Sequence, residues 1–176
     1  MIKETIEYHL ISKHYGDRVA KRSQVPLINH INEGLIVLDS LTSDIAAKQA
    51  FCIHPLVQND MDLRENWPTV ANMCTPKVVM YAMEYRNIAN AFLSDKIPDF
   101  QNSPIKLSPI AAVNDMLIAD KVQNCKDFWT YHHGTHPRSN ELEIYFDKWL
   151  DALDVSEEQY EEFCMVIDTL RANNVL

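Results

Sequence analysis

Two histidines and an aspartate stand where a helical period asks for apolar side chains. His30 adjoins the stripe of Leu27 and Gly34, His54 shares one with Ala47 and Phe51, and Asp120 lies between Val113, Leu117, Asn124 and Phe128. A buried carboxylate is costly unless it is paired, protonated or bound to a cation. Two imidazoles and a carboxylate facing inward from three separate helices make a ligand set for a divalent metal. A plainer reading competes with it: inward histidines often serve as hydrogen-bonded core residues, and Asp120 has Arg22 or Lys121 as a candidate partner.

The elements that must position these residues are helices. Three glycines in 176 residues leave little material for hairpin turns, and strict alternation of apolar and polar residues runs nowhere for long. The chain is therefore expected to be all-α, a single helical domain over 1–176. Gly16 is placed to end a first helix. A second starts near Pro26, with Leu27, Ile31, Gly34 and Leu38 at core spacing. A third runs from Ser43, its expected N-cap, to His54, where Pro55 in "FCIHPLVQND" is expected to stop it. "CTPKVVMYAMEYRNIANAFL" and "LSPIAAVNDMLIADKVQNCKDFW" each open with a cap and a proline, Thr75–Pro76 and Ser108–Pro109. Helices over roughly 138–152 and 156–173 follow, the last opened by a capping box of Ser156 and Gln159. The polar, proline-containing stretches "SDKIPDFQNSPIK" and "YHHGTHPRS" are expected to be surface loops.

Composition narrows the partners. A formal net charge of −9 argues against a general electrostatic grip on nucleic acid or anionic membranes. Four scattered cysteines without a CxxC pair suit a reducing compartment. No apolar run is long enough to span a bilayer. A cytoplasmic protein is expected, taking a small nucleotide or phosphate ligand and with room for a homo-oligomer or a protein partner.

Four segments in order resemble a known family. "RSQVPLINHI", "AFCIHPLVQND", "MLIADKVQNCKDF" and "ELEIYFDKWLDAL" resemble segments of the HD-domain phosphohydrolases, in particular the alarmone hydrolase domain of the RelA/SpoT type and its small stand-alone metazoan form. The similarity spans roughly residues 5 to 153, and the A-D-K-x-x-N core of the third segment is its most specific piece. The resemblance implies a helical HD domain and a Mn²⁺ or Mg²⁺ ion held by His30, His54 and Asp120. It also implies Asn124 near a bound nucleotide and Arg22 near its base or ribose.

The pattern breaks after His54. The family's metal-binding aspartate is replaced by Pro55, and its water-orienting glutamate–aspartate pair by Gln58 and Asn59. Amides hold a water but cannot take its proton, and losing a general base typically costs about 10² to 10⁴-fold in rate. Asp60, next in the chain, and Glu84, on a face with Met80, Asn87 and Ala91, are the candidates to supply the missing carboxylate. Their plainer alternatives are a solvated loop acid and a partner for Arg86. In "WTYHHGTHPRS", His132, His133 and His136 lack the rigid i,i+4 geometry of a helical zinc site and read as structural or surface residues. Arg138, with His133 and Lys121, is a candidate local phosphate patch. Three readings follow: an HD-type hydrolase with an altered metal site, a catalytically silent HD-type protein that binds a nucleotide or another protein, and a helical subunit whose triad is purely structural.

Overall fold

The computed structural model describes residues 1–93, 100 and 102–173. Among them are eight α-helices: α1 (Ile6–Tyr15), α2 (Ile28–Leu41), α3 (Ile45–Gln58), α4 (Asp60–Met73), α5 (Pro76–Ala91), α6 (Ala111–Asp127), α7 (Ser139–Ala152) and α8 (Glu157–Ala172). A short 3₁₀ turn, Ile2–Glu4, precedes α1, and a π-helical turn, Phe128–His132, extends α6. The only β-type pairing among the described residues is an isolated bridge between Val19 and Pro26. The fold is all-α. The expected loop over 94–106 falls in part outside the described residues.

Local chemistry accounts for most of the boundaries. Gly16, at φ 52°, closes α1 and donates its N–H to the Ser12 carbonyl. Asp44, not Ser43, caps α3, its carboxylate accepting from the Ala46 N–H at 2.9 Å. The expected start of α6 at Ser108–Pro109 is displaced: the helix begins at Ala111 after Ile110, which has no side-chain cap. The Ser108 hydroxyl accepts from the Ile110 N–H at 3.1 Å and the Asn114 amide closes on the Ser108 backbone from both sides, holding 108–110 in a turn ahead of the helix. The expected capping box at Ser156 and Gln159 is present. Helix α4 was not expected. Its stretch carries Pro68 and buries only Val70, so it has almost no apolar stripe to announce it.

Pro55 does not end α3, which continues to Gln58. A proline inside a helix removes one N–H and leaves the carbonyl four residues earlier without its partner. That carbonyl belongs to Phe51, and the His54 ring supplies the missing donor, Nδ1 to oxygen at 2.6 Å.

Helix α3 is the axis of the bundle. It packs against α1, α2, α4, α5 and α6, and Ala47, Ala50 through His54, Leu56 and Val57 are all buried, as for a helix enclosed on every side. Helices α2 and α3 come closest at Gly34. A Cβ there would collide with the Phe51 ring, so only glycine admits this approach. His30 lies one turn before Gly34 and His54 one turn after Phe51, which makes the Gly34–Phe51 contact the spacer that sets the two imidazoles side by side.

Candidate metal centre

His30 from α2, His54 from α3 and Asp120 from α6 converge at the floor of a cleft. His30 Nε2 lies 3.3 Å from His54 Nε2 and 3.5 Å from Asp120 Oδ1, and His54 Nε2 lies 3.8 Å from the same oxygen. The hydrogen bonds behind the rings decide which nitrogen carries each proton. A carbonyl only accepts, so the His54 proton sits on Nδ1, facing Phe51. His30 Nδ1 meets the Gln123 Oε1 at 2.6 Å. The same amide's nitrogen donates to Asp127 Oδ2 at 2.8 Å and to Glu33 Oε2 at 3.4 Å, which fixes its orientation and puts the His30 proton on Nδ1 as well. In the neutral rings both Nε2 atoms are then acceptors, close to each other and to a carboxylate oxygen that already accepts from the Asn124 amide. A bound water, a proton or a cation resolves such an arrangement, and a cation is the one of these that engages all three acceptors at once.

The donor set fits a cation. The three separations are 3.3, 3.5 and 3.8 Å. They correspond to ligand bonds of about 2.2 Å around a tetrahedral ion and about 2.5 Å on neighbouring corners of the octahedron that Mn²⁺ or Mg²⁺ prefers, so an octahedral ion would draw the three atoms closer by roughly a few tenths of an ångström. Backing each ligating imidazole with a hydrogen bond at its other nitrogen is the usual way to fix the tautomer for a metal. Burial, with His30 beside it, pushes the His54 imidazole down to about 3, so its Nε2 lone pair is available at neutral pH. Burial alone would raise the Asp120 carboxyl. The Lys121 ammonium, helped by the two imidazoles, overrides it and holds the group ionised, well below the ordinary carboxylate range.

Lys121 is the counterweight. Its Nζ pairs with Asp120 Oδ2 at 2.8 Å and lies 4.9 Å from the Trp149 ring centroid and 5.6 Å from that of Tyr145. With its side chain only 5% exposed, this ammonium is committed to Asp120 and the aromatic faces instead of to a ligand. The Asn124 amide donates to Asp120 Oδ1 at 2.9 Å and also lines the cleft.

The remaining expected site residues divide. Gln58 and Arg22 line the cleft, and Pro55 stands beside His54 on its wall. Asp60 opens α4 with 94% of its side chain exposed and pairs with Arg86. Glu84 accepts from the Ser108 hydroxyl at 2.9 Å and belongs to the approach to α6. Neither carboxylate lines the cleft, so neither replaces the missing one. Asn59 caps α4 through the Asp62 N–H at 2.8 Å. Arg138 pairs with Glu141 through two contacts of 2.8 and 2.6 Å, away from the cleft lining. His133 stacks on Trp129, ring centroids 4.1 Å apart, and faces Glu143.

Sequence reasoning missed Gln123 and Tyr85, and read His132 and His136 as structural or surface residues. Gln123 stands one turn after Asp120 and one before Asp127, a spacing that was available to read. Tyr85 packs its ring 4.7 Å from that of His54, and burial, reinforced by the Asp120 carboxylate, keeps its phenol protonated. Nothing in the local sequence separates it from an ordinary core tyrosine. His132 and His136, expected to be structural or surface residues, line the outer cleft. The whole recess has a volume of about 570 Å³ and an apolar side formed in part by Val25, Leu27, Phe128 and Phe146. Against this geometry, comparison with family models, curated proteins and solved structures finds no match.

Proposed function

We propose that this chain is an HD-type protein that holds a divalent cation, Mn²⁺ or Mg²⁺, on His30, His54 and Asp120 and binds a nucleotide-type phosphate compound in the cleft above it, without turning it over. One observation carries the reading: two imidazoles held through Nδ1 place their Nε2 atoms 3.5 and 3.8 Å from one carboxylate oxygen, three ligand atoms within reach of a single ion. The resemblance of "RSQVPLINHI" and "MLIADKVQNCKDF" to the HD-domain segments agrees with it.

Bound there, the cation would polarise a phosphoryl oxygen as a Lewis acid. The chain's own residues favour retention of the ligand over its hydrolysis. Pro55 has no ligating atom, Gln58 positions water without accepting its proton, and Asp60 and Glu84 are engaged elsewhere. With Asp120 as the one carboxylate ligand and Lys121 as a buried positive neighbour, affinity for a hard cation is lower than a two-carboxylate site would give.

The test is calorimetric titration of mononucleotides and inorganic pyrophosphate with and without Mn²⁺, paired with assays of phosphate release. Mn²⁺-dependent binding with no release is expected. Phosphate release that disappears in a His54→Ala variant would replace binding with catalysis, and no nucleotide binding under either condition would remove the reading altogether.

A further inference from the structure

The cleft contains a second pair of histidines wired in the opposite sense. His136 Nδ1 accepts from the Arg138 backbone N–H at 3.0 Å, so the His136 proton sits on Nε2. His132 Nδ1 is buried with no hydrogen-bond partner among the described residues. An orphaned buried N–H is rarer than an orphaned acceptor, which puts this proton on Nε2 too. Whereas His30 and His54 offer lone pairs, His132 and His136 offer N–H donors. Their rings stand 6.4 Å apart, centroid to centroid.

Arg22 lines the same cleft, exposed and near His136, and forms no ion pair among the described residues, the cleft's Asp120 being paired with Lys121. Desolvation, helped by the positive charge of Arg22, makes His136 harder to protonate, so it meets a ligand as a neutral N–H donor beside a charged guanidinium. In a chain of net charge −9, three donor groups gathered on one wall have chemistry complementary to an anion. The backbone contributes as well. His133 donates its N–H to the Phe128 carbonyl at 2.8 Å, closing a π turn that displaces His132 from the α-helical register of α6, and such turns recur at functional sites.

We infer that Arg22, His132 and His136 form a phosphate-binding subsite at the outer wall of the cleft, separate from the triad on its floor, which takes the phosphoryl or pyrophosphoryl group of the ligand. The two-ended arrangement rests on the cleft reading proposed above, but the anion end does not need the cation. The experiment is isothermal titration of inorganic pyrophosphate into protein stripped of metal on chelating resin. The wild type, Arg22→Gln, the double variant Arg22→Gln/His136→Gln, and Lys13→Gln as a charge control on exposed α1 are compared. Binding is expected in the wild type and the control, weakened about tenfold in Arg22→Gln and further in the double variant. No binding by the wild type, or equal binding by the double variant, would overturn the subsite. Mn²⁺ titrated separately into the wild type reports on the floor alone: pyrophosphate binding without Mn²⁺ binding keeps the subsite and removes the cation.

Discussion

At the scale of single residues, Pro55 does two things with opposite signs for the metal. It deletes a carboxylate ligand, and by removing its own N–H it frees the Phe51 carbonyl that holds His54 in the ligating tautomer. Replacing it with aspartate should tighten Mn²⁺ binding at least tenfold, since a carboxylate beside a hard cation adds charge while the Phe51 carbonyl keeps a lone pair for His54; calorimetry on Pro55→Asp measures this. The second residue-level consequence is acid sensitivity of the metal-free protein. The folded-state value of His54, pushed down to about 3, lies below its ordinary 6.5, so protons bind the unfolded chain more readily across that window. The stability this contributes is complete above about pH 6.5 and is lost as pH falls toward 3. Urea unfolding at a series of pH values should show that slope in the wild type and a shallower one in His54→Gln. The triad was legible in the sequence because a charged or imidazole side chain on an apolar stripe is an anomaly. Its wiring was not, because tautomers depend on Gln123 and the Phe51 carbonyl, which only the folded chain brings to the rings.

At the scale of elements, the site is a matter of helix separation. Gly34 lets α2 lie against the Phe51 ring of α3, and Gly34→Ala should overpack that contact at about 1 to 3 kcal/mol while spreading the His30–His54 pair. The expected result is a lower unfolding midpoint together with Mn²⁺ affinity reduced more than for an equally destabilising substitution elsewhere, which a matched Val70→Ala control would establish. Helix α3 is also held by Asp44, which caps it and binds Lys77 and Tyr81 of α5. Asp44→Ala should cost about 1 to 2 kcal/mol by chemical denaturation. Helix positions were readable where prolines, caps and apolar periods coincide, as at Pro76 and Ser156. They were misread where a rule has an exception: Pro55 sits inside α3 because a neighbouring side chain replaces the lost donor, and α4 lacks the stripe by which helices are recognised.

At the scale of the whole molecule, the C-terminal helix is tied to the centre through buried charge. Arg171 of α8 pairs with the fully buried Glu33 of α2, whose other oxygen accepts from the Gln123 amide that positions His30. Arg171→Met should destabilise by about 3 kcal/mol, the low end for a broken buried pair because Glu33 keeps its Gln123 hydrogen bond, and Glu33→Gln in the same chain should recover part of the loss. No helix among the described residues is long and apolar enough to cross a membrane, in line with the expectation from the sequence. The all-α class was legible from composition and period alone, whereas the division of the cleft into a lone-pair floor and a donor wall emerges only when α2, α3, α6 and the π turn come together. The central claim is the cation on that floor, and equilibrium dialysis against Mn²⁺ tests it most directly, with the folded state of each variant checked by circular dichroism. About one ion per wild-type chain is predicted, lost in both His30→Gln and His54→Ala. No bound Mn²⁺ in the wild type, or the same amount in all three proteins, would contradict it.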